Sequence, residues 1–340
     1  MSVHLPSHHP QPQQGAERLM LAVAGIGLLP LLLLALVAVL ALTEPRFLGT
    51  ANLLNILRSA SVLAVVASGQ MLVLIVGGFD LSVGAVVALS STVGATAMAG
   101  AAASGVSPAL AITVGCAAGL GAGALVGLVN GLCVAVLKVS PFMVTLGTMS
   151  AASGVALLLT NGIPVYGLPD GFVTGFGRAV WLGLPSALVV SLILLGVVAV
   201  LQRHTLAGPA LRAVGGNVQA ARVSGVAVRG WTVSAYVGCS LLAALTGLLL
   251  TARIGSGQAS LGGLNMTMES IATAVIAGVS LRGGAGRVEM VALGAVFLAV
   301  ISNAMNLSRV DSKAQLVVLG VILIAAVALD ELGKRRRVRV

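Results

Sequence analysis

From Pro108 to Leu137 the chain reads PALAITVGCAAGLGAGALVGLVNGLCVAVL, thirty residues without one charged side chain. About 20 apolar residues in a helix cross a bilayer, so this stretch alone points to a membrane span. Gly115, Gly119, Gly123, Gly127 and Gly131 recur at every fourth position, which leaves one helix face without Cβ atoms. Such a stripe lets a neighbouring backbone approach closely and reads as helix packing; a sliding or gating seam is the functional alternative. Ser107 and Pro108 supply an N-cap and a first-turn proline.

The rest of the chain has the same character. Of 340 residues, 58% are hydrophobic and only 8% charged, so a water-soluble fold is excluded. The apolar residues suffice for ten spans, at about 19–42, 59–77, 81–101, 108–137, 142–160, 180–201, 231–252, 266–281, 288–308 and 314–332. The expected fold class is all-α, a polytopic membrane protein of about ten transmembrane helices. The first apolar stretch is longer than a signal-peptide core and reads as a retained anchor helix. Residues 1–18, with His4, His8 and His9, read as a disordered tail rather than a metal site, and 333–340 as a basic tail. Cys116, Cys133 and Cys239 fall in apolar segments, which offers neither a disulfide framework nor a metal motif.

The net charge of +10 could suggest nucleic acid, but the basic residues lie in short loops and the C-terminal tail. With the N-terminus inside, thirteen Lys and Arg fall on the inner side and six on the outer. That asymmetry places both termini in the cytoplasm. Thr50 to Arg58 reads as a short interfacial helix capped by Thr50, with Asn52, Asn55 and Arg58 on one face. A faint repeat relates Asn130 and Leu146-Gly147 to Asn303 and Leu319-Gly320. The two copies lie five spans apart, so they would form a 5+5 inverted repeat. Two matches in a Leu- and Gly-rich chain are also what chance provides.

Three places could carry chemistry or recognition. Gly77-Gly78-Phe79-Asp80-Leu81-Ser82-Val83-Gly84 joins two spans, and Asp80 can cap the following helix. It reads either as a break facing a polar pathway or as a tight capped turn at the membrane surface. The longest polar stretch, 202–230, contains Asn217 as an N-cap and Gly225 as a stop around a short helix. That helix is either a docking element or part of a solvated loop. Glu269 lies near the outer end of an apolar span, where it could line a path, pair with Arg253 or reach the interface. Gln70, Asn130, Asn303 and Asn306 are weaker pathway candidates, for which hydrogen bonds between helices are the simpler role.

The chain has no phosphate-binding loop, no zinc-protease or serine-hydrolase motif and no ladder of arginines. Aromatics make up 3%, too few for a tight sugar-stacking pocket, so recognition and energy are expected to come from partners.

Gly78 to Gly84 resembles the GIDLSVG motif of permease subunits from the ribose/monosaccharide class of bacterial ABC importers. His204-Thr205, Gly208, Arg212-Ala213, Gly215-Gly216-Asn217, Ala220-Ala221 and Ser224-Gly225-Val226 are similar to that family's cytoplasmic coupling segment. Ile271-Ala272, Gly278, Ser280-Leu281, Gly283-Gly284 and Gly286-Arg287 continue the likeness, as do Asn52-Leu53, Asn303, Asn306-Leu307 and Asp330. It covers roughly residues 45–332. The resemblance implies a subunit without catalytic residues, metal or cofactor of its own, in the bacterial cytoplasmic membrane. A second copy or close paralogue would complete the pathway, and a cytoplasmic ATPase would hold ATP and Mg. That ATPase would dock on Asn217, Gln219, Ala220, Ala221, Arg222, Ser224 and Gly225, with Arg282 and Arg287 nearby. A periplasmic binding protein would deliver a small solute, and a monosaccharide is the expected one. Asp80, Ser82, Gln70, Asn130, Glu269, Asn303 and Asn306 are the candidate pathway residues. Pro209 departs from the family, which usually has a basic residue there, and removes a charge and an N–H from the coupling segment. Relatives carrying nucleosides or branched-chain amino acids, a self-sufficient secondary transporter or channel, and a membrane scaffold are the alternatives.

Overall fold

The computed structural model describes residues 28–337. The tail 1–18, the start of the first expected span and the last residues of the basic tail lie outside the described residues.

The chain forms α1 (Leu28–Thr43), α2 (Thr50–Ile75), α3 (Val83–Ala103), α4 (Pro108–Ala135), α5 (Pro141–Thr160) and α6 (Ser186–His204). There follow α7 (Ala207–Gly216), α8 (Val218–Val223), α9 (Val228–Ile254), α10 (Gly263–Ile276), α11 (Val288–Leu307) and α12 (Ser312–Arg337). Seven of these, α2 to α6, α9 and α11, are long and apolar enough to cross a membrane. The chain is a mostly helical, polytopic membrane protein. Between α5 and α6 runs a turn of helix, Asp170–Phe172, then π-helical Val173–Gly177 and a two-residue hairpin. In that hairpin β1 (Val180–Trp181) pairs antiparallel with β2 (Leu184–Pro185).

The core is built on α2, α3 and α9, which contribute Leu63, Val66, Val83, Val87, Tyr236 and Ala243, with Ala272 of α10 and Leu298 of α11 closing it. The outer helices differ. Leu125 and Leu132 of α4, Leu157 and Leu158 of α5, and Leu192 and Ile193 of α6 are exposed. In a membrane protein such faces meet lipid or another subunit rather than water.

Ser107 accepts from Leu110 N–H at 3.4 Å and Pro108 opens α4, as the sequence indicates. The glycine stripe of α4 faces inward. A Cβ at Gly115 or Gly119 would meet Met98, the Gly94 carbonyl or the Ser90 carbonyl of α3 at 2.6–2.9 Å. At Gly123, Gly127 and Gly131 it would meet Ala244, Tyr236 and Val233 of α9 at 2.5–2.8 Å. The stripe therefore crosses from one neighbour to the other along its length.

One expectation fails here. Thr50 does not cap a separate interfacial helix; Gly49 holds the N-cap position, without a side-chain cap bond, and α2 runs unbroken to Ile75. The reason lies in the partners of its polar face. Asn52 and Asn303 exchange amide hydrogen bonds at 3.0 and 2.7 Å, and Asn55 accepts from Arg253 at 3.3 Å. With those groups satisfied by protein, the helix need not lie at the interface.

Candidate functional site

The chain leaves helical geometry after Ile75. Gly77 adopts φ +79°, and Gly78 N–H returns to the Val73 carbonyl at 2.9 Å, the pattern of a glycine-terminated helix end. The extended segment that follows carries Asp80, which is fully buried. Its Oδ1 accepts from Ser82 N–H at 2.8 Å and from Ser82 Oγ at 2.6 Å. Asp80 thus does not cap α3 as expected: Ser82 occupies the N-cap position, and its own side chain makes no cap bond. The carboxylate instead fixes the bend that aims the helix, because its nearest donors lie within the turn itself.

From that bend a hydrogen-bonded line runs outward. Asn130 of α4 donates to Ser82 Oγ at 2.9 Å, and Thr148 of α5 donates to Asn130 Oδ1 at 2.8 Å. Tyr236 of α9 donates to the Phe79 carbonyl at 3.3 Å. Thr267 of α10 accepts from Gly84 N–H at 3.0 Å. At the same place a Cβ on Gly84 would overlap the Gly263 carbonyl, so α3 and α10 begin against one another. Segment 76–82 is therefore held by α4, α9 and α10, the last through Thr267 donating to the Leu81 carbonyl at 3.4 Å, while α5 braces Asn130.

The polar stretch 202–230 is more ordered than its sequence suggests. Thr205 Oγ1 accepts from Ala207 N–H at 3.1 Å and starts α7. Pro209 is the third residue of that helix, where an N–H has no helical partner, so its ring costs little. Asn217 Oδ1 accepts from Gln219 N–H and Ala220 N–H, both at 3.0 Å, and so caps α8. Gly225 (φ +79°) ends it, with Val226 N–H on the Ala221 carbonyl at 3.0 Å. Ala221 is buried, whereas Gln219, Ala220, Arg222, Val223, Ser224 and Gly225 are exposed.

Loop 277–287 meets this arm. Gly284 N–H donates to the Ile75 carbonyl at 2.8 Å, and a Cβ on Gly215 of α7 would overlap that same carbonyl. A Cβ on Gly283 would meet Gly77 N at 3.0 Å and the Gly215 carbonyl at 2.8 Å. The arm and the loop, far apart in sequence, therefore converge on the last residue of α2, directly before the break. Around them Gln202 accepts from Val288 N–H at 3.2 Å, and Arg203 pairs with Glu289 at 2.6 Å. Arg282 and Arg287 are exposed on this loop.

Away from that end the packing opens. Glu269 is half-buried and lines two neighbouring cavities of about 210 and 260 Å³. Both also include Ser302; one adds Asn265 and Gln315, the other Ser59 and Arg253. Glu269 does not pair with Arg253, because that guanidinium is turned to Asn55 on α2.

The expected residues thus divide. Asp80, Ser82 and Asn130 belong to one network, while Glu269 faces cavities elsewhere. Asn303 is committed to Asn52, and Asn306 accepts from Gln315 at 3.0 Å. Gln70 is fully buried, and neither amide atom has a partner among the described residues. The sequence does not mark Thr148, Tyr236, Thr267 or Gln202, nor Arg178, which donates to the Arg253 and Ile254 carbonyls at 3.2 and 3.0 Å. Gly215 belongs to the expected coupling segment, but nothing in the sequence marks its seat on Ile75. Their partners are 18 or more residues away in sequence, and no spacing rule reports such pairs.

Comparison with known proteins gives this arrangement its context. The profile of the family described as branched-chain amino acid transport system / permease component matches residues 52–327. The ribose import permease protein of Bacillus subtilis (strain 168) is 38% identical over 299 residues, 88% of this chain and 90% of its own. The D-allose transport system permease protein of Escherichia coli (strain K12) is 35% identical over 302 residues, covering 88% and 90%. The L-arabinose transport system permease protein of Escherichia coli (strain K12) is 33% identical over 297 residues, covering 87% and 88%. No solved structure matches.

Proposed function

The chain belongs to the branched-chain amino acid transport system / permease component family, and from that premise we propose that it forms the pathway of an ATP-driven monosaccharide importer. As a permease component it is a transport subunit of the inner membrane rather than an enzyme. The sugar assignment follows the relatives, whose printed names specify ribose, D-allose and L-arabinose.

The permease domain, residues 19–332, has ten spans: the seven long apolar helices together with α1, α10 and α12. Both termini face the cytoplasm, in keeping with the distribution of Lys and Arg. The neighbour pattern supports a 5+5 inverted repeat: α4 packs on α3 and α9, and α11 packs on α10 and α2. Likewise α5 packs on α3, and α12 on α10. Segments 76–82 and 255–262 are the corresponding breaks, and the helices after them begin in contact at Gly84 and Gly263.

A second copy of the chain or a close paralogue completes the pathway. A periplasmic substrate-binding protein delivers the sugar, and a cytoplasmic ATPase holds ATP and Mg. The coupling segment lies within 202–230: Asn217, Gln219, Ala220, Ala221, Arg222, Ser224 and Gly225 present α8 to the ATPase, with Arg282 and Arg287 beside them. The observation that carries this reading is the joint seating of α7 and loop 277–287 on the Ile75 carbonyl. A push on α8 passes through α7 to the end of α2 and into segment 76–82. Asp80, Ser82 and Asn130 then re-aim α3 against α4. Glu269 and its cavities offer hydroxyl-binding groups on the sugar's route, and weak binding there suits a conduit that must release its load.

Proteoliposomes test the assignment. The chain alone is expected to show neither ATP hydrolysis nor concentrative uptake. With its ATPase and binding protein it accumulates monosaccharide when ATP is supplied. Proton- or Na⁺-driven accumulation by the chain alone would make it a secondary transporter instead.

A further inference from the structure

Three cations outside the break converge on one cleft. Lys138 lies in the turn between α4 and α5, Arg222 in the last turn of α8, and Arg229 in the first turn of α9. All three line a cavity of about 290 Å³ and an adjoining one of about 540 Å³. Neither cavity has an acidic side chain in its lining. The three side chains are exposed, and among the described residues none of them forms an ion pair. Like charges so placed repel one another, and only an anion or water relieves that.

The turn itself is rigid. Lys138 adopts φ +58°, and Leu137 N–H and Val139 N–H return to the Leu132 and Cys133 carbonyls at 3.3 and 3.1 Å. These bonds fix the backbone from which the Lys138 side chain projects, at the end of α4.

What surrounds the cleft identifies the anion. Leu137, Phe142 and Met143, next to Lys138, are 68%, 53% and 64% exposed, and they continue into the exposed leucines of α4 and α5. The apolar flank of α4 and α5 thus reaches the turn that carries Lys138, one of the cations lining the cleft. A soluble anion would use only the cations, whereas a phospholipid satisfies both surfaces, its acyl chains along α4 and α5 and its phosphate among the three cations. We infer that Lys138, Arg222 and Arg229 form a binding site for the headgroup of an anionic phospholipid, next to the coupling helix. This needs only the membrane location established by the family, not the docking role of α8.

The test uses the full chain, co-purified with its ATPase and exchanged into detergent carrying equal amounts of phosphatidylglycerol and phosphatidylethanolamine. Retained lipid is read by native mass spectrometry. The wild type is expected to keep phosphatidylglycerol in preference, and the Lys138→Gln/Arg229→Gln variant to lose about tenfold of that retention. Lys138→Arg, which keeps the charge, should retain it, as should Arg309→Gln in the turn before α12. Equal retention of both lipids, or unchanged retention in the double variant, would overturn the inference. Displacement of the lipid by excess inorganic phosphate would overturn it too, by reducing the cleft to a free-phosphate site. If the double variant lost the ATPase but kept its lipid, the cations would be a protein contact and the inference would also fail. Failure of the docking reading would show separately, as an ATPase that never co-purifies with the wild type.

Discussion

The two ends of α2 are packed by different means. At its last residue, Ile75, backbone meets backbone: the Gly284 amide on the carbonyl, Gly215 against the same atom, and Gly283 against Gly77. Toward its start, Ser59, Val62 and Leu63 border a cavity shared with Arg253 and Glu269. Glycine contacts of the first kind leave nothing to compress, so they transmit displacement. A cavity edged with carboxylate, hydroxyl and guanidinium gives way easily and can admit a polar solute. The contrast suggests a division of labour along one helix, with motion entering at one end and solute accommodated toward the other.

Substitutions can break that contrast. A large stability effect is expected from Gly284→Val, where φ is +79° and a Cβ would meet Gly216 Cα at 3.1 Å. Left-handed strain and overpacking together should cost about 2–4 kcal/mol. Ser302→Val, on the cavity wall, should change stability by less than about 0.5 kcal/mol. Thermal unfolding of the purified proteins compares the two, and equal losses would erase the distinction. Next comes Asp80→Ala, which strips the buried Ser82 N–H of its acceptor and should cost about 1–3 kcal/mol. Asp80→Asn keeps an oxygen at Oδ1 and should preserve most of the melting temperature. A loss as large in the Asn variant would show that the charge, not the acceptor, holds the bend.

Smaller still is Asn217→Ala, which removes the cap of α8 at a cost of about 1 kcal/mol. Its signature is faster hydrogen exchange at Gln219 and Ala220 together with weaker ATPase co-purification, while the melting temperature of the whole protein barely moves. Glu269→Gln should leave stability unchanged and raise the KM for uptake severalfold. An unchanged KM would remove Glu269 from the sugar's route.

Much of this architecture was legible in the residues. Uninterrupted apolar stretches mark the long helices, and the four-residue glycine period marks the face that α4 buries. Asn217 and Gly225 delimit α8 because caps are local and need only a few neighbouring residues. Helix α7 was not legible: Gly208, Pro209, Gly215 and Gly216 look like breakers, yet each is spent on a first turn, a close approach or a helix end. Nor did Asp80 announce its role, since Asp before a helix reads as a cap until Ser82 is seen to take its hydrogen bonds. Thr148 and Arg178 contribute through partners on other helices, and a hydroxyl or guanidinium in an apolar chain carries no mark of which helix will face it.

The central claim is that the coupling segment acts on segment 76–82 through Gly215 and Ile75. Its most direct test is the ratio of sugar imported to ATP hydrolysed by the reconstituted complex carrying Gly215→Ala. The added methyl would overlap the Ile75 carbonyl and force α7 away from it, without changing any residue on the exposed face of α8. Hydrolysis and ATPase co-purification should persist while sugar imported per ATP falls about tenfold. An unchanged ratio in a normally assembled complex would contradict the account.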